Sequence, residues 1–260
     1  MVALIRRDYA ITRAYPLALT FDVFFGLIDV LIFFFISRTF GDMASADLHG
    51  APTYFAFVVV GIVITLVVSA ASAEVGYRLQ QEQVTGTLEA LVTQPVRSTQ
   101  IAFGLAGFPF GLALVRGFVY LLVSWAAFGL DLSRASWAGC ILVLAASGLA
   151  LLGVGIVLGA AVVVLKRGQS LIGLATTGLA FLSGAFFPAQ ILPHWLEVIG
   201  TLVPTRYVYD GVRAALFQGR GWGDDAIVLL AFSVVGLPIA LWVFSRALAF
   251  VKRTGSLGQY

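Results

Sequence analysis

The chain has 260 residues, 60% of them hydrophobic and only 11% charged, with a net charge of +3. A soluble domain carries about a quarter charged residues because its surface meets water, so this composition, with a mean hydropathy of +0.99, excludes a water-soluble globule. The apolar residues gather in blocks of about 20, enough for a helix to cross roughly 30 Å of hydrocarbon, and they are apolar on every face, which excludes the in-out alternation of a transmembrane barrel. An all-α membrane protein of one domain, 1–260, is expected.

In chain order, the first element is an amphipathic helix over 4–15. Arg6 and Arg13 lie seven residues apart, with Leu4, Ile11 and Tyr15 on another face, which suits a helix lying at the inner interface. Six spans follow, at 17–37, 53–73, 101–130, 137–165, 170–187 and 226–244. No cleavable signal peptide is expected, because the first apolar block is too long and aromatic for a signal core. Pro109 gives the third span a reason to kink. Between the second and third spans, 74–100 is the most polar stretch. Within it Gly86 precedes a short helix, about 86–94, whose apolar face carries Leu88, Leu91 and Val92 and which Pro95 stops. Between the fifth and sixth, 188–225 is too long for a turn and holds two helical runs, 194–203 and 207–217, divided by Pro204. Their Trp and Tyr residues suit segments that lie at or dip into the outer interface, about 193–218.

With the N-terminus inside, ten Lys and Arg fall on the cytoplasmic side and five (Arg38, Arg134, Arg206, Arg213, Arg220) on the outer side, leaving Arg116 within a span. That bias places both termini in the cytoplasm. The single cysteine, Cys140, sits in an apolar run, so it is expected to be buried and inert.

Asp22 and Asp29 are seven residues apart in the first span and share a helix face. An acid near the bilayer centre costs about 2.5–3.5 kcal/mol on insertion scales, so both should face protein or water. Counting 1.5 Å per residue puts Asp29 roughly 18 Å and Arg116 roughly 22 Å into their spans. An Asp29–Arg116 pair is therefore expected, near a translocation path or subunit interface, with a structural ion pair or a water-lined wall as the alternative. Gly107, Gly111, Gly155 and Gly159 are spaced four apart, which lets helix backbones approach; intrachain packing is favoured over a dedicated dimer contact. Trp195, Tyr207, Tyr209 and Trp222 are assigned to interfacial anchoring before substrate contact.

Two stretches carry a resemblance. Gln81-Glu82-Gln83-Val84-Thr85-Gly86-Thr87-Leu88-Glu89-Ala90-Leu91, closed by Pro95, and Ser183-Gly184-Ala185-Phe186-Phe187-Pro188 with Pro193, Pro204, Tyr207, Asp210 and Arg213, resemble the type 2 ABC transporter permease family at the matching places in its topology. Gln81 departs from the pattern, which commonly has Arg there. The resemblance implies a permease without its own ATPase, forming a translocation pathway as a dimer of identical or related copies. It implies a coupling helix that docks into a cytoplasmic P-loop ATPase dimer through Glu82, Gly86, Thr87, Leu88, Glu89 and Leu91, and an outer gate that includes Phe187, Pro188, Tyr207, Asp210 and Arg213. ATP and Mg2+ would sit on the partner, membrane lipids would surround the chain, and no nucleic acid is involved. The layout implies the inner membrane of a prokaryote and an exported amphiphile, lipid-linked glycan or drug-like molecule.

The only lysines, Lys166 and Lys252, follow Leu165 and Val251, so neither belongs to a phosphate-binding Gly-Lys-Ser/Thr loop. His49, His194 and Cys140 form no zinc spacing, and no Gly-x-Ser-x-Gly elbow is present. The rival readings are an ion-coupled secondary transporter using Asp22, Asp29 and Arg116, which lacks the expected internal repeat, and a membrane-embedded transferase, which lacks a catalytic constellation.

Overall fold

A computed structural model describes residues 2–40, 48, 50–86, 98–165 and 168–254, and the described residues are almost wholly helical. The helices are α1 (Val2–Ala14), α2 (Pro16–Phe40), α3 (Tyr54–Ser72), α4 (Glu74–Val84), α5 (Ser98–Phe128), α6 (Trp137–Leu165), α7 (Gly168–Leu182), α8 (His194–Thr201), α9 (Pro204–Arg213) and α10 (Trp222–Thr254). A 3-10 turn, Ala189–Ile191, precedes α8, and a π turn, Ala214–Gln218, follows α9. Helix is the only open structure that satisfies every backbone N–H and C=O within one segment, which hydrocarbon demands. Five of these helices are long and apolar enough to cross a membrane: Pro16–Thr39, Tyr54–Ser72, Gln100–Phe128, Trp137–Leu165 and Trp222–Val251.

The core forms around α3. Its N-terminus is capped by Thr53, whose hydroxyl accepts from the Ala56 amide at 3.2 Å. From Phe55 to Val60 every residue is buried, so α3 has no lipid face over that length. It is enclosed by α2, α5, α6 and α9. Only Ala73 separates α3 from α4, so the deep helix runs almost directly into the polar one. Gly155 and Gly159 make this corner possible: a Cβ on Gly155 would lie 2.7 Å from the Ser72 carbonyl, and one on Gly159 2.7 Å from Leu79 Cδ1. Those two glycines serve packing within the chain. Gly111 borders open space.

The fifth apolar block departs from its expected bounds. A span over 170–187 was expected, but α7 stops at Leu182, and its 15 residues are about 22 Å long. Gly184 breaks it with φ +70°, a conformation that costs other residues a Cβ clash. The last block runs the other way: α10 covers 33 residues through an internal Pro238, not just 226–244. Its missing proline N–H removes one helical bond, but its long contact with α6 holds the helix on both sides of that point.

Candidate functional sites

Three constellations stand out. The first joins α1 to α4. Asp8 is 4% exposed; one of its oxygens accepts from Arg78 Nη1 and the other from Arg7 Nε at 3.3 Å. Arg78 Nε also donates to Glu74 at 2.9 Å, and Arg7 Nη1 to Glu82 at 2.9 Å. Two guanidinium forks thus knit three carboxylates across a cleft of about 490 Å³. Glu82 holds the Arg7 guanidinium above its ordinary pKa, against the opposing effect of partial burial. Gln81, which departs from the resemblance's Arg, lines the cleft, and Arg7 of α1 supplies a cation to Glu82. Sequence reasoning placed Glu82 in a docking segment and missed Asp8 and Arg78. The available signal was an acid set among arginines in a helix whose apolar face could not bury it unpaired.

Beyond this junction α4 ends at Val84 with Thr85 as its cap, and Gly86 is exposed at φ +71°, a left-handed helix stop. Thr87, Leu88, Glu89 and Leu91, the remaining expected docking residues, lie outside the described residues.

The second constellation lies where α7 breaks. Arg213 was counted with the outer loop charges; instead it is 1% exposed and the largest fully buried side chain among the described residues. Its guanidinium donates to the carbonyls of Gly184 and Ala185, both at 2.9 Å, and of Phe57 at 3.4 Å, and sits 3.6 Å from the Phe57 ring centroid. The Gly184 and Ala185 carbonyls lie buried just past the end of α7 and need donors, and a planar fork with five N–H groups reaches several at once. Burial lowers its pKa to about 10, partly offset by Asp210 and Tyr209, so the charge persists at neutral pH. Gly61 permits the approach of α3: a Cβ there would lie 2.1 Å from the Ala185 carbonyl.

Around Arg213, the hydroxyls of Ser183 and Thr205 share a buried hydrogen bond, and Tyr209, fully buried, meets the Thr65 hydroxyl at 2.7 Å. Tyr209 is therefore not an interfacial anchor, which corrects the expectation drawn from its residue type; the polar tip finds a partner on α3 rather than water. Tyr207 behaves more as expected, half-buried, with its hydroxyl donating to Thr201 O at 2.9 Å. Asp210 Oδ2 lies 3.7 Å from Arg206 Nε, Phe187 packs edge-on against Phe181, and Pro188 is buried. The five expected gate residues thus all belong to the α7 break and the helices behind it. Trp195 is 64% exposed, as an anchor would be.

The third constellation is a cavity of about 710 Å³ between α2, α3 and α5, bordered by Phe186. It brings Asp22, Asp29 and Arg116 together, but not in the expected pairing. Arg116 Nη1 stands 3.8 Å from Asp22 Oδ2, and Nη2 donates to the Asp22 carbonyl at 3.1 Å. Asp29 has no ion pair among the described residues. The reason is helix offset: α1 packs along the first half of α5, with Leu4 against Gly104 and Tyr9 against Phe108, so α2 starts beside the middle of α5. Depths counted from each span's own first residue therefore do not correspond. Tyr120 closes the same side, its hydroxyl filling the space that a Cβ on Gly26 would occupy.

A multi-pass helical bundle with a pinned break before its last long helix defines a polytopic membrane protein. Its sequence matches the model of the ABC-2 type transporter family over residues 3–217. The chain belongs to that family and is an ABC transporter transmembrane subunit. No curated protein matches the chain.

Proposed function

We propose that this chain is the permease of an ABC exporter in a prokaryotic inner membrane, with both termini cytoplasmic and α7 with its break serving as a sixth, incomplete span. Two permease copies form the pathway, and separate P-loop ATPase subunits, which carry ATP and Mg2+, drive it. Their grip falls on the segment around 86–94.

The observation that carries this reading is the α1–α4 ion network. A push on the segment after Gly86 acts on α4, and α4 holds α1 through Arg78–Asp8 and Glu82–Arg7 while continuing into α3 through Ala73. The force therefore reaches the central helix of the core without crossing a flexible loop. At the other end, α3 meets the Arg213 cluster through Phe57, Gly61 and Thr65, which supports a gate at that end moved by the same helix. The cavity supports a dimer: it is open, and only 6% of the apolar window of α2 is buried, although that helix carries two acids that hydrocarbon disfavours.

The test is co-expression with a P-loop ATPase encoded beside this chain. The expected result is co-purification, with ATP turnover that changes when Leu88→Asp and Leu91→Asp are introduced together. An ATPase that assembles and turns over identically with this double variant refutes the assignment of the docking segment. Cross-linking that finds only single permease copies in the active assembly refutes the dimer.

A further inference from the structure

We infer that the cavity between α2, α3 and α5 binds an amphiphilic organic cation, which names the substrate class of the proposed exporter and rests on that reading for its transport role. Asp22 and Asp29 both line it, two turns apart on α2, against the single guanidinium of Arg116. One carboxylate is matched by Arg116 and the other is not, so the site carries one net negative charge. Asp29 is exposed toward the cavity from the middle of an apolar helix. An ionised acid there needs water or a cation.

The walls suit the apolar part of such a cation. Phe25, one turn from both acids, and Phe33, one turn beyond Asp29, stand on the same face of α2. Phe33 stacks on Phe186 with ring centroids 5.8 Å apart and planes 9° from parallel, forming the end wall remote from α1. Aromatic faces attract cations through their ring quadrupole, more strongly where water is excluded. A volume of about 710 Å³ falls within the range of drug-sized sites. A lipid-linked glycan fits less well, because its phosphates would face the unmatched Asp29.

The end wall also ties occupancy to the break in α7. The Phe186 carbonyl accepts from the Tyr54 hydroxyl at 3.2 Å, and the two residues before it, Gly184 and Ala185, give their carbonyls to Arg213. An occupant that displaces the Phe186 ring therefore strains the segment that Arg213 holds.

The experiment uses the purified full chain in lipid nanodiscs without nucleotide. Equilibrium dialysis compares tetraphenylphosphonium with tetraphenylborate, an anion of the same shape. Saturable binding of the cation at least tenfold tighter than the anion is expected, with a loss of about tenfold in Asp29→Asn and retention in Asp29→Glu. Equal binding of both ions, or an unchanged affinity in Asp29→Asn that still elutes as the folded protein, overturns the inference. So does a cavity closed by a second copy, seen as disulfide cross-linking of Asp29→Cys between chains together with no cation binding by the unmodified protein. Because no ATPase is present, loss of ATPase assembly leaves this result untouched, and absence of cation binding leaves the permease assignment untouched.

Discussion

Replacing Arg213 tests the pinned break most directly. In Arg213→Leu the carbonyls of Gly184 and Ala185 lose donors at 2.9 Å and the Phe57 ring loses a cation 3.6 Å from its centre. Hydrogen bonds to a charged group contribute about 1.5–3 kcal/mol each, so two of them amount to roughly 3–6 kcal/mol before compensation. Leucine removes a buried cation that has no ion pair among the described residues, and the relief of its desolvation offsets part of that loss. A net cost of about 3 kcal/mol remains, or about two orders of magnitude in the equilibrium between docked and undocked α9. The opening is measurable as thiol labelling. With Cys140→Ala removing the native cysteine, Val208→Cys supplies a probe at a position that is fully buried. Its maleimide labelling should accelerate about a hundredfold in Arg213→Leu and by less in Arg213→Lys, which keeps the charge but loses the fork. Unchanged labelling in Arg213→Leu would show that the break is held by apolar packing alone and would refute the account.

Gly61→Val places its first carbon 2.1 Å from the Ala185 carbonyl; overpacking of this kind costs about 1–3 kcal/mol, and the same thiol probe should report it. A double-mutant cycle on Asp8→Asn and Arg78→Gln should give a coupling of about 1–3 kcal/mol, read from thermal unfolding in detergent, and either variant should uncouple ATP turnover from transport in the assembled complex. Additivity of the two would mean that the Asp8–Arg78 contact contributes nothing to holding α1 on α4. Tyr209→Phe deletes the 2.7 Å contact with Thr65 and should cost about 1 kcal/mol, since Thr65 keeps its bond to the Gly61 carbonyl.

Most of the helices were legible because hydrocarbon imposes a local rule. A block of about 20 apolar residues must satisfy its own backbone, so composition alone locates α3, α5 and α6 to within a few residues. The ends that failed have specific causes. The run 183–187 is apolar enough to extend a span, but Gly184 adopts a left-handed backbone supported by carbonyl contacts to a residue 29 positions away. Residues 222–225 were assigned to the outer segment, yet Asp224 and Asp225 stand in the first turn of α10, where acids favour a helix start.

Membrane residence, helical class and the Gly and Pro signals at 86 and 184–188 are properties of single residues and their near neighbours, and these the amino-acid order settled unaided. The destination of each charge belonged to the tertiary structure. Arg78 meets Asp8 across 70 positions, Arg116 meets Asp22 across 94, and Arg213 reaches Phe57 across 156. Such meetings depend on how far one helix is offset along another, and a shift of two turns, roughly 11 Å, exchanges Asp29 for Asp22. That offset is decided by side chains packed along α1 and α5, far from the charges it aligns.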